Sequence, residues 1–517
     1  MKISILIRAD AGGALGTGHV MRMIALAQGY LRRGGSVSLA SVNCPEKLVE
    51  RVRSHGITHH TIIAAQPGDT DDAQQTAELA KELDAEWLVV DGYHFDYEYQ
   101  KYVKQFGFSL LCTDDHGYSD CWHCDVILNQ NLDANLRIDY KNDLLNTKVL
   151  SGPAYCLLRE EFLDAQTEKC TWGSIECLLV TLGGSDLENA TEATLQLVDQ
   201  ACERPLNIRV LVGADNPHLE RLRVFESHHN VEVVQNATNM PEQYAWADGI
   251  ISAGGSTCWE WLYWGLPGAI VTIADNQLPI VDALTVARQA ALPLGWFNGA
   301  AFGANTKPLS EWIHEPAKVC DATVANGMID GGGADRVVSS LLGELFYFRP
   351  VSLWDFEMTF SWANDSHARL MSFSSEMISR EVHLDWLKRK LADDKVWHQI
   401  VELNELAVAV GVVRVEKIDA SANAVISINL SPSIRGKGYG SQIIREASQR
   451  YCDESGETCI SAYAKLENIA SVRAFQKAGY TCPVQSDLQQ GDAVVMFFNY
   501  SVEADVDNNK VELRNEI

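Results

Sequence analysis

The 517-residue chain has no apolar run approaching the ~18–20 residues of a membrane-spanning helix, so no membrane partner is expected. It is also short of positive charge. Lys and Arg number 42 against 69 Asp and Glu, a net charge of −27, which repels phosphate backbones and excludes nucleic acid as an expected partner. No secretory leader is expected: after Met1 and Lys2, only Ile3 to Ile7 precede Arg8 and Asp10. The expected location is therefore cytoplasmic. There are no internal repeats and no low-complexity tract. The 13 cysteines are odd in number and scattered, and they read as reduced, buried small residues. Cys121-x-x-Cys124, with His116 and His123 nearby, lacks the second ligand pair of a structural zinc site, and no metal is expected. His59-His60 and His228-His229 read as solvated loop residues.

What is present is the composition of a globular protein, 46% hydrophobic and 21% charged, long enough for about three domains. Up to about residue 340, β-rich runs alternate with helical stretches. Strands are expected at 2–7, 37–42, 87–91, 109–113 and 125–128, and again at 178–182, 208–212, 231–234, 249–252 and 269–273. Helices are expected at 20–33, 190–201, 218–226 and 257–265. Repeated βαβ units imply parallel sheets, here two Rossmann-like lobes, 1–165 and 166–345, with a cleft between them. From Arg349 the order becomes α+β, with strands at 407–415, 424–430 and 460–464 in a domain spanning 346–502, followed by a polar tail at 503–517.

Ile3, Ile5 and Ile7 alternate along the first strand, which runs into Gly12-Gly13-Ala14-Leu15-Gly16-Thr17-Gly18-His19. A helix with apolar Val20, Ile24, Ala27 and Leu31 follows. Two phosphate motifs nearly fit. Met21 stands where the dinucleotide fingerprint needs its third glycine, and His19-Val20 replace the Lys-Ser/Thr of a P-loop. What remains is a histidine at a helix N-terminus on the C-terminal edge of a parallel sheet. The helix dipole there disfavours the imidazolium and leaves a neutral base. A histidine that serves only as a cap or spacer is the alternative.

In the second lobe, Gly183-Gly184-Ser185-Asp186 and Gly254-Gly255-Ser256-Thr257 each join a strand to a helix, where free backbone N–H groups suit an anion. Thr257-x-x-Glu260 reads either as a capping box or as a carboxylate for both hydroxyls of a ribose. Trp259, Trp261 and Trp264 read as core packing or a lobe interface and not as base-stacking residues.

Gly254-Gly255-Ser256-Thr257-x-x-Glu260, Gly265-Leu266-Pro267 and Ala274-Asp275-Asn276-Gln277 resemble the UDP-binding half of GT-B sugar-nucleotide enzymes. Four further motifs narrow the likeness: Gly16-x-Gly18-His19-Val20-Met21-Arg22, Asp91-Gly92-Tyr93, Gly152-Pro153-x-Tyr155-x-Leu157-Leu158-Arg159 and Gly183-Gly184-Ser185-Asp186. With them, residues 1 to about 340 resemble the UDP-2,4-diacetamido-2,4,6-trideoxy-β-L-altropyranose hydrolases of pseudaminic acid biosynthesis. The resemblance implies a GT-B-like arrangement, with His19 as the general base that activates water and inversion at the anomeric carbon. It places Glu260 on the ribose, Asn276 and Gln277 on nucleotide or sugar, and Arg159 on a phosphate or polar sugar group. Tyr93 would line the sugar pocket, and Gly18, Arg22, Gly255, Ser256 and Thr257 complete the substrate set. The other enzymes of that pathway are candidate partners.

In the last domain, the strand ending at Leu430 leads into Arg435-Gly436-Lys437-Gly438-Tyr439-Gly440 and a helix with Ile443, Ile444, Ala447 and Tyr451. With Asn468-x-x-Ser471, Phe475 and Gly479-Tyr480, residues 349–500 resemble GNAT acyltransferases. Acetyl-CoA is the implied acetyl donor, on Leu430, Arg435 to Gly440, Asn468 and Ser471. Two segments, Arg349-Pro350-Val351 to Trp362-Ala363-Asn364-Asp365 and Ile378-Ser379-Arg380-Glu381-Val382-His383-Leu384-x-Trp386, resemble the subgroup that acetylates UDP-linked 4-amino sugars. That step immediately precedes the hydrolase, so the chain would hold two consecutive activities. One departure is Phe475, where many GNAT enzymes carry the tyrosine that protonates CoA thiolate. A GT-B glycosyltransferase, or a hydrolase with a degenerate acetyl-CoA sensor, is the rival reading.

Overall fold

β1 (Ser4–Ala9) is buried at every position but its first, the signature of a strand covered on both faces at the centre of a parallel sheet. The computed structural model describes residues 4–12, 16–119, 121–132, 134, 138, 140, 147–165, 172–183, 186–213, 216–297, 299, 306–417, 424–482 and 493–500. The expectations for Lys2 and Ile3, Gly13 to Leu15, Gly184 and Ser185, and the tail fall outside them. The chain divides into two units, Met1–Gly343 and Glu344–Ile517.

In the first unit, β2 (Ser36–Ser41), β3 (Thr58–Thr61), β4 (Trp87–Asp91), β5 (Ser109–Thr113), β6 (Val126–Asn129) and β7 (Lys148–Ser151) join β1 in one parallel sheet of order β3-β2-β1-β4-β5-β6-β7. A second parallel sheet contains β8 (Cys177–Thr181), β9 (Asn207–Val212), β10 (Asn230–Gln235), β11 (Gly249–Ala253), β12 (Gly268–Thr272) and β13 (Ala291–Trp296), ordered β10-β9-β8-β11-β12-β13. Both orders reverse beside the first strand of their lobe, so each sheet opens a crevice at its carboxyl edge, between β1 and β4 and between β8 and β11.

Three strands of this unit escape the apolar pattern. β3 is Thr-His-His-Thr, a half-exposed edge strand, so His59 and His60 lie in the sheet and not in a solvated loop. β7 is a short edge strand. β13 carries Pro293, tolerated because the strand is an edge and its pairing with β12 is bulged. Trp259 and Trp261 are fully buried, and Trp264 nearly so. A Cβ at Gly268 would lie 2.5 Å from the Trp261 ring, which restricts that position to glycine.

The helix Gly333–Leu341 follows the second sheet in sequence but packs on the first lobe's helix, Gly18–Arg32. Arg32 pairs with Asp335 at 2.7 Å, a Cβ on Gly29 would sit 3.2 Å from the Ala334 methyl, and the Trp87 indole donates to the Leu341 carbonyl at 3.1 Å. The segment 166–345 read as the second lobe therefore ends on the first.

The second unit is one sheet, β14 (Phe346–Pro350), β15 (Val396–Leu403), β16 (Val408–Glu416), β17 (Ala424–Leu430), β18 (Cys459–Lys465) and β19 (Ala493–Asn499), in that order. All neighbours are antiparallel except β17 and β18, which run parallel. That pair is held only from Ala424–Ile460 to Ile426–Ala462, whereas β16 follows β17 as far as Leu430. Beyond Ile426 the two parallel strands diverge and leave a wedge in the sheet. Among the described residues no helix is long and apolar enough to cross a membrane.

Candidate functional site

The helix Gly18–Arg32 springs from the turn after β1 without a side-chain cap, so its first amides face the crevice. His19 is its second residue and Arg22 lies one turn on, on the same face. β4 ends at Asp91, whose side chain is fully buried. Its Oδ1 lies 2.7 Å from His19 Nδ1 and accepts from Thr113 Oγ1 at 2.6 Å. Arg22 donates Nε to Asp91 Oδ2 at 2.6 Å and Nη1 to Asp115 Oδ1 at 2.7 Å. The Tyr93 phenol donates to Asp115 Oδ2 at 2.9 Å, and its ring meets the His19 ring edge-on at 5.2 Å. Burial alone would raise the Asp91 carboxyl, but the Arg22 guanidinium and His19 outweigh it and hold it far below the usual carboxylate range. Asp115 is lowered against its burial by the same arginine. An ionised carboxylate can only accept, so Nδ1 carries the proton and Nε2 is the basic nitrogen.

Facing this set from the second lobe, the helix Thr257–Trp264 begins at Ser256, again without a side-chain cap. A Cβ on Gly254 would run to 2.5 Å from Val281, while Gly255 is open on its outer side. Glu260 does not close a capping box with Thr257. Its Oε1 accepts from Arg159 at 3.1 Å and its Oε2 from the Tyr244 phenol at 2.9 Å. Arg159 spends its other nitrogen on Glu161, 2.7 Å away, so its guanidinium contacts carboxylates from both lobes. Gln277 turns its side-chain oxygen to the Ile273 amide, whereas Asn276 is exposed and its side chain is close enough to the Tyr93 phenol to oppose the rise that burial gives it. Asp186 caps the helix Ala190–Ala201 through the amides of Ala190 and Thr191.

In the second unit, the turn after β17 needs glycine. Gly436 and Gly438 have φ of +76° and +89°, and nothing lies within 4 Å of a Cβ on either. Gly438 precedes the 17-residue helix Tyr439–Ser455, which has no side-chain cap and no acidic residue in its first turn. Lys437 is exposed, and Arg435 pairs with Asp365 while its Nη2 has no partner. Gly440 keeps its helix against Leu430, whose methyl would be 3.3 Å from an added Cβ. An open turn of amides, an uncapped helix and a spare guanidinium nitrogen beside a sheet wedge fit the diphosphate and extended arm of acetyl-CoA. Asn468 and Ser471 are engaged with each other, the Ser471 amide donating to Asn468 Oδ1 at 3.0 Å as a helix cap. Phe475 is buried against Tyr480, and the Tyr480 hydroxyl is hydrogen-bonded to Ser448 inside the core.

In the sequence Asp91 stood out only within the Asp91-Gly92-Tyr93 motif, with no role given to it, and Thr113 and Asp115 were missed as parts of the site. The signal was a carboxylate at the end of a strand beside β1 and an Asp-Asp pair just after the next strand. His229 was misread as solvated: it is buried, with Nδ1 accepting from the Leu206 amide. Among the described residues, Asp199, His228 and His229 bring possible metal-binding atoms within 4.8 Å of one another. The Leu206 bond, however, puts the proton on His229 Nε2, which then has no lone pair for a cation.

Residues 346–481 match the acetyltransferase (GNAT) domain family, and residues 177–291 match the glycosyltransferase family 28 C-terminal domain. The chain joins a GT-B-like unit to a GNAT domain. The UDP-2,4-diacetamido-2,4,6-trideoxy-beta-L-altropyranose hydrolase of Campylobacter jejuni is 26% identical over 230 residues, 44% of this chain and 76% of that protein. The spore coat polysaccharide biosynthesis protein SpsG of Bacillus subtilis is 25% identical over 299 residues, 56% of this chain and 83% of the relative. An uncharacterized protein of Methanocaldococcus jannaschii is 23% identical over 286 residues, and the chain spans only 56% of its length.

Proposed function

We propose that the GT-B-like unit hydrolyses a UDP-linked 2,4-diacetamido-2,4,6-trideoxy sugar and that the GNAT domain N-acetylates its UDP-linked 4-amino precursor. The observation that carries the hydrolase reading is the His19–Asp91 pair at 2.7 Å, a base oriented by a buried carboxylate at the mouth of the crevice. His19 Nε2 takes a proton from water as the oxygen attacks the anomeric carbon, and the bond to UDP breaks with both electrons leaving on the diphosphate. The carbon is inverted. Amides of Gly18 and of Gly255 to Thr257 are assigned to the anionic groups, Glu260 to the ribose, Tyr93 and Asn276 to the sugar, and Gln277 to holding the turn that carries Asn276. In this reading Arg22 and Arg159 position carboxylates. The relatives named for a hydrolase and for spore coat sugar biosynthesis support the substrate class.

For the GNAT domain, Leu430 and the Arg435–Gly440 turn are assigned to acetyl-CoA, which supplies an activated acetyl group when bound. With Phe475 in the tyrosine position, the thiolate leaves without a proton from that residue, which a thiol of pKa about 8.5 permits. The match to the glycosyltransferase family 28 C-terminal domain favours one rival, transfer of the sugar to an acceptor other than water.

Full-length protein given the 4-amino UDP-sugar, with and without acetyl-CoA, separates these by mass. The expected products are CoA, UDP and the free diacetamido sugar without any added acceptor. Release of UDP that requires an acceptor sinks the hydrolase. His19→Ala is expected to lower UDP release by about 10²–10⁴-fold while UDP binding persists.

A further inference from the structure

We propose that the Tyr463 hydroxyl receives the attacking amine at the wedge in the GNAT sheet and shuttles its proton to the leaving sulfur, a catalytic part that Phe475 cannot play. The inference rests on the reading of this domain as an N-acetyltransferase. The last rung between the two parallel strands is Ile426–Ala462, so Ser427 and Tyr463 are the first residues past it on either side of the opening. Side chains alternate across a sheet. Ile426, Ile428 and Leu430 of β17 and Ala462 and Ala464 of β18 face the core beneath the helices Tyr439–Ser455 and Ile469–Lys477. Ser427, Asn429, Tyr463 and Lys465 therefore lie on the opposite face. The glycine turn that fits the diphosphate leads into the helix Tyr439–Ser455, so the thioester arm enters from the core side and the amine comes over the other face. That approach is bounded by the helix Ser366–Met371. Its cap, Asp365, pairs with Arg435 just beyond β17, and its Leu370 carbonyl accepts from Lys465 Nζ of β18 at 3.0 Å. The helix is thus tied to both of the strands that part.

Of the four polar side chains on this face, Lys465 is committed to the Leu370 carbonyl and to Glu467, 3.7 Å away. The Asn429 amide has no proton to pass on. Ser427 lies 3.5 Å from Arg414 Nη2, and an alcohol releases its proton less readily than a phenol. Tyr463 is 39% exposed and its hydroxyl is bonded to none of the described residues. On the core side, Phe475 has no hydroxyl and that of Tyr480 is held by Ser448. In the step, the lone pair of the neutral amine forms the C–N bond and the thioester carbon becomes tetrahedral. The C–S bond then breaks with its electron pair on sulfur, while nitrogen gives a proton to Tyr463 Oη and Oη gives its own to sulfur. An amide and the free CoA thiol result, the phenol is unchanged, and no further reactant is needed.

Two measurements on full-length protein test this. A crystal structure with acetyl-CoA is expected to place the Tyr463 hydroxyl within hydrogen-bond reach of the thioester, directly or through one water. A hydroxyl out of reach by both routes overturns the proposal whatever the acceptor. CoA release is then followed with a thiol reagent, the 4-amino UDP-sugar serving as acceptor. Tyr463→Phe is expected to lower kcat by about 10²-fold, with the KM and calorimetric affinity for acetyl-CoA unchanged. Ser427→Ala, which removes the other hydroxyl at the opening, is expected to keep the parental kcat. A merely structural role for Tyr463 would weaken acetyl-CoA affinity and lower the melting temperature along with the rate, and that pattern overturns the shuttle. So does near-parental kcat in Tyr463→Phe, or a loss of kcat confined to Ser427→Ala. A parent that binds acetyl-CoA and releases no CoA to this acceptor sinks the acetylation reading, and the distance in the acetyl-CoA complex then decides for or against Tyr463.

Discussion

Asp91 accepts from His19, Thr113 and Arg22 while wholly excluded from water, so it sets both the tautomer of the base and the position of the arginine. Asp91→Asn keeps the shape but lets the imidazole turn over and leaves Arg22 half-paired. UDP release is expected to fall by about 10³–10⁴-fold with UDP affinity, read by calorimetry, little changed. Unfolding free energy is expected to fall by about 3–5 kcal/mol, the cost of breaking a buried pair. A variant with near-parental turnover would remove the oriented-base reading. Residue identity at this scale was only half legible. His19 announces itself through the glycine turn before it, but Asp91 looks like any strand-ending acid until β4 is placed next to β1. Glu260 shows the same limit: its spacing from Thr257 fits a capping box, and the guanidinium that actually holds it is 101 residues earlier in the chain.

Among the elements, the row His398–Arg414–Ser427 runs across β15, β16 and β17. Arg414 lies over the Trp386 ring at 5.1 Å, and His398 meets the same ring edge-on at 5.8 Å, its Nδ1 without a hydrogen-bond partner. Burial, helped by Arg414, lowers the His398 pKa to about 4. The unfolded chain titrates near 6.5, so between those values it binds a proton that the folded domain refuses. Stability from this group is complete above pH ~6.5 and drains away on acidification to pH ~4, by up to about 3 kcal/mol. His398→Gln is expected to flatten the fall in the GNAT domain's melting temperature across that window. An equally steep fall in both proteins would refute it. β15 itself was not anticipated, since its apolar residues alternate with His, Gln and Glu, whereas β17 and the glycine turn after it were plain.

For the whole molecule, the return of Gly333–Leu341 to the first lobe ties the two Rossmann-like lobes together. A Cβ on Gly333 would lie 2.0 Å from the Cys156 carbonyl oxygen, a backbone atom that cannot swing aside. Gly333→Ala is expected to lower the stability of the first unit by about 3 kcal/mol, seen as a drop in its melting temperature. Gly173→Ala, with nothing within 4 Å, is the neutral control. Equal melting temperatures in the two variants would discount the packing argument. The amino-acid order by itself determined the alternation of strands and helices, the glycine turns and the histidine after one of them, because these depend on periodicity and backbone freedom over a few residues. Only the tertiary structure decided which carboxylate orients His19, which arginine occupies Glu260 and where the last helix of the first unit docks. Those pairings join groups tens to hundreds of residues apart, and nothing local in the chain selects one partner over another until the sheets are assembled.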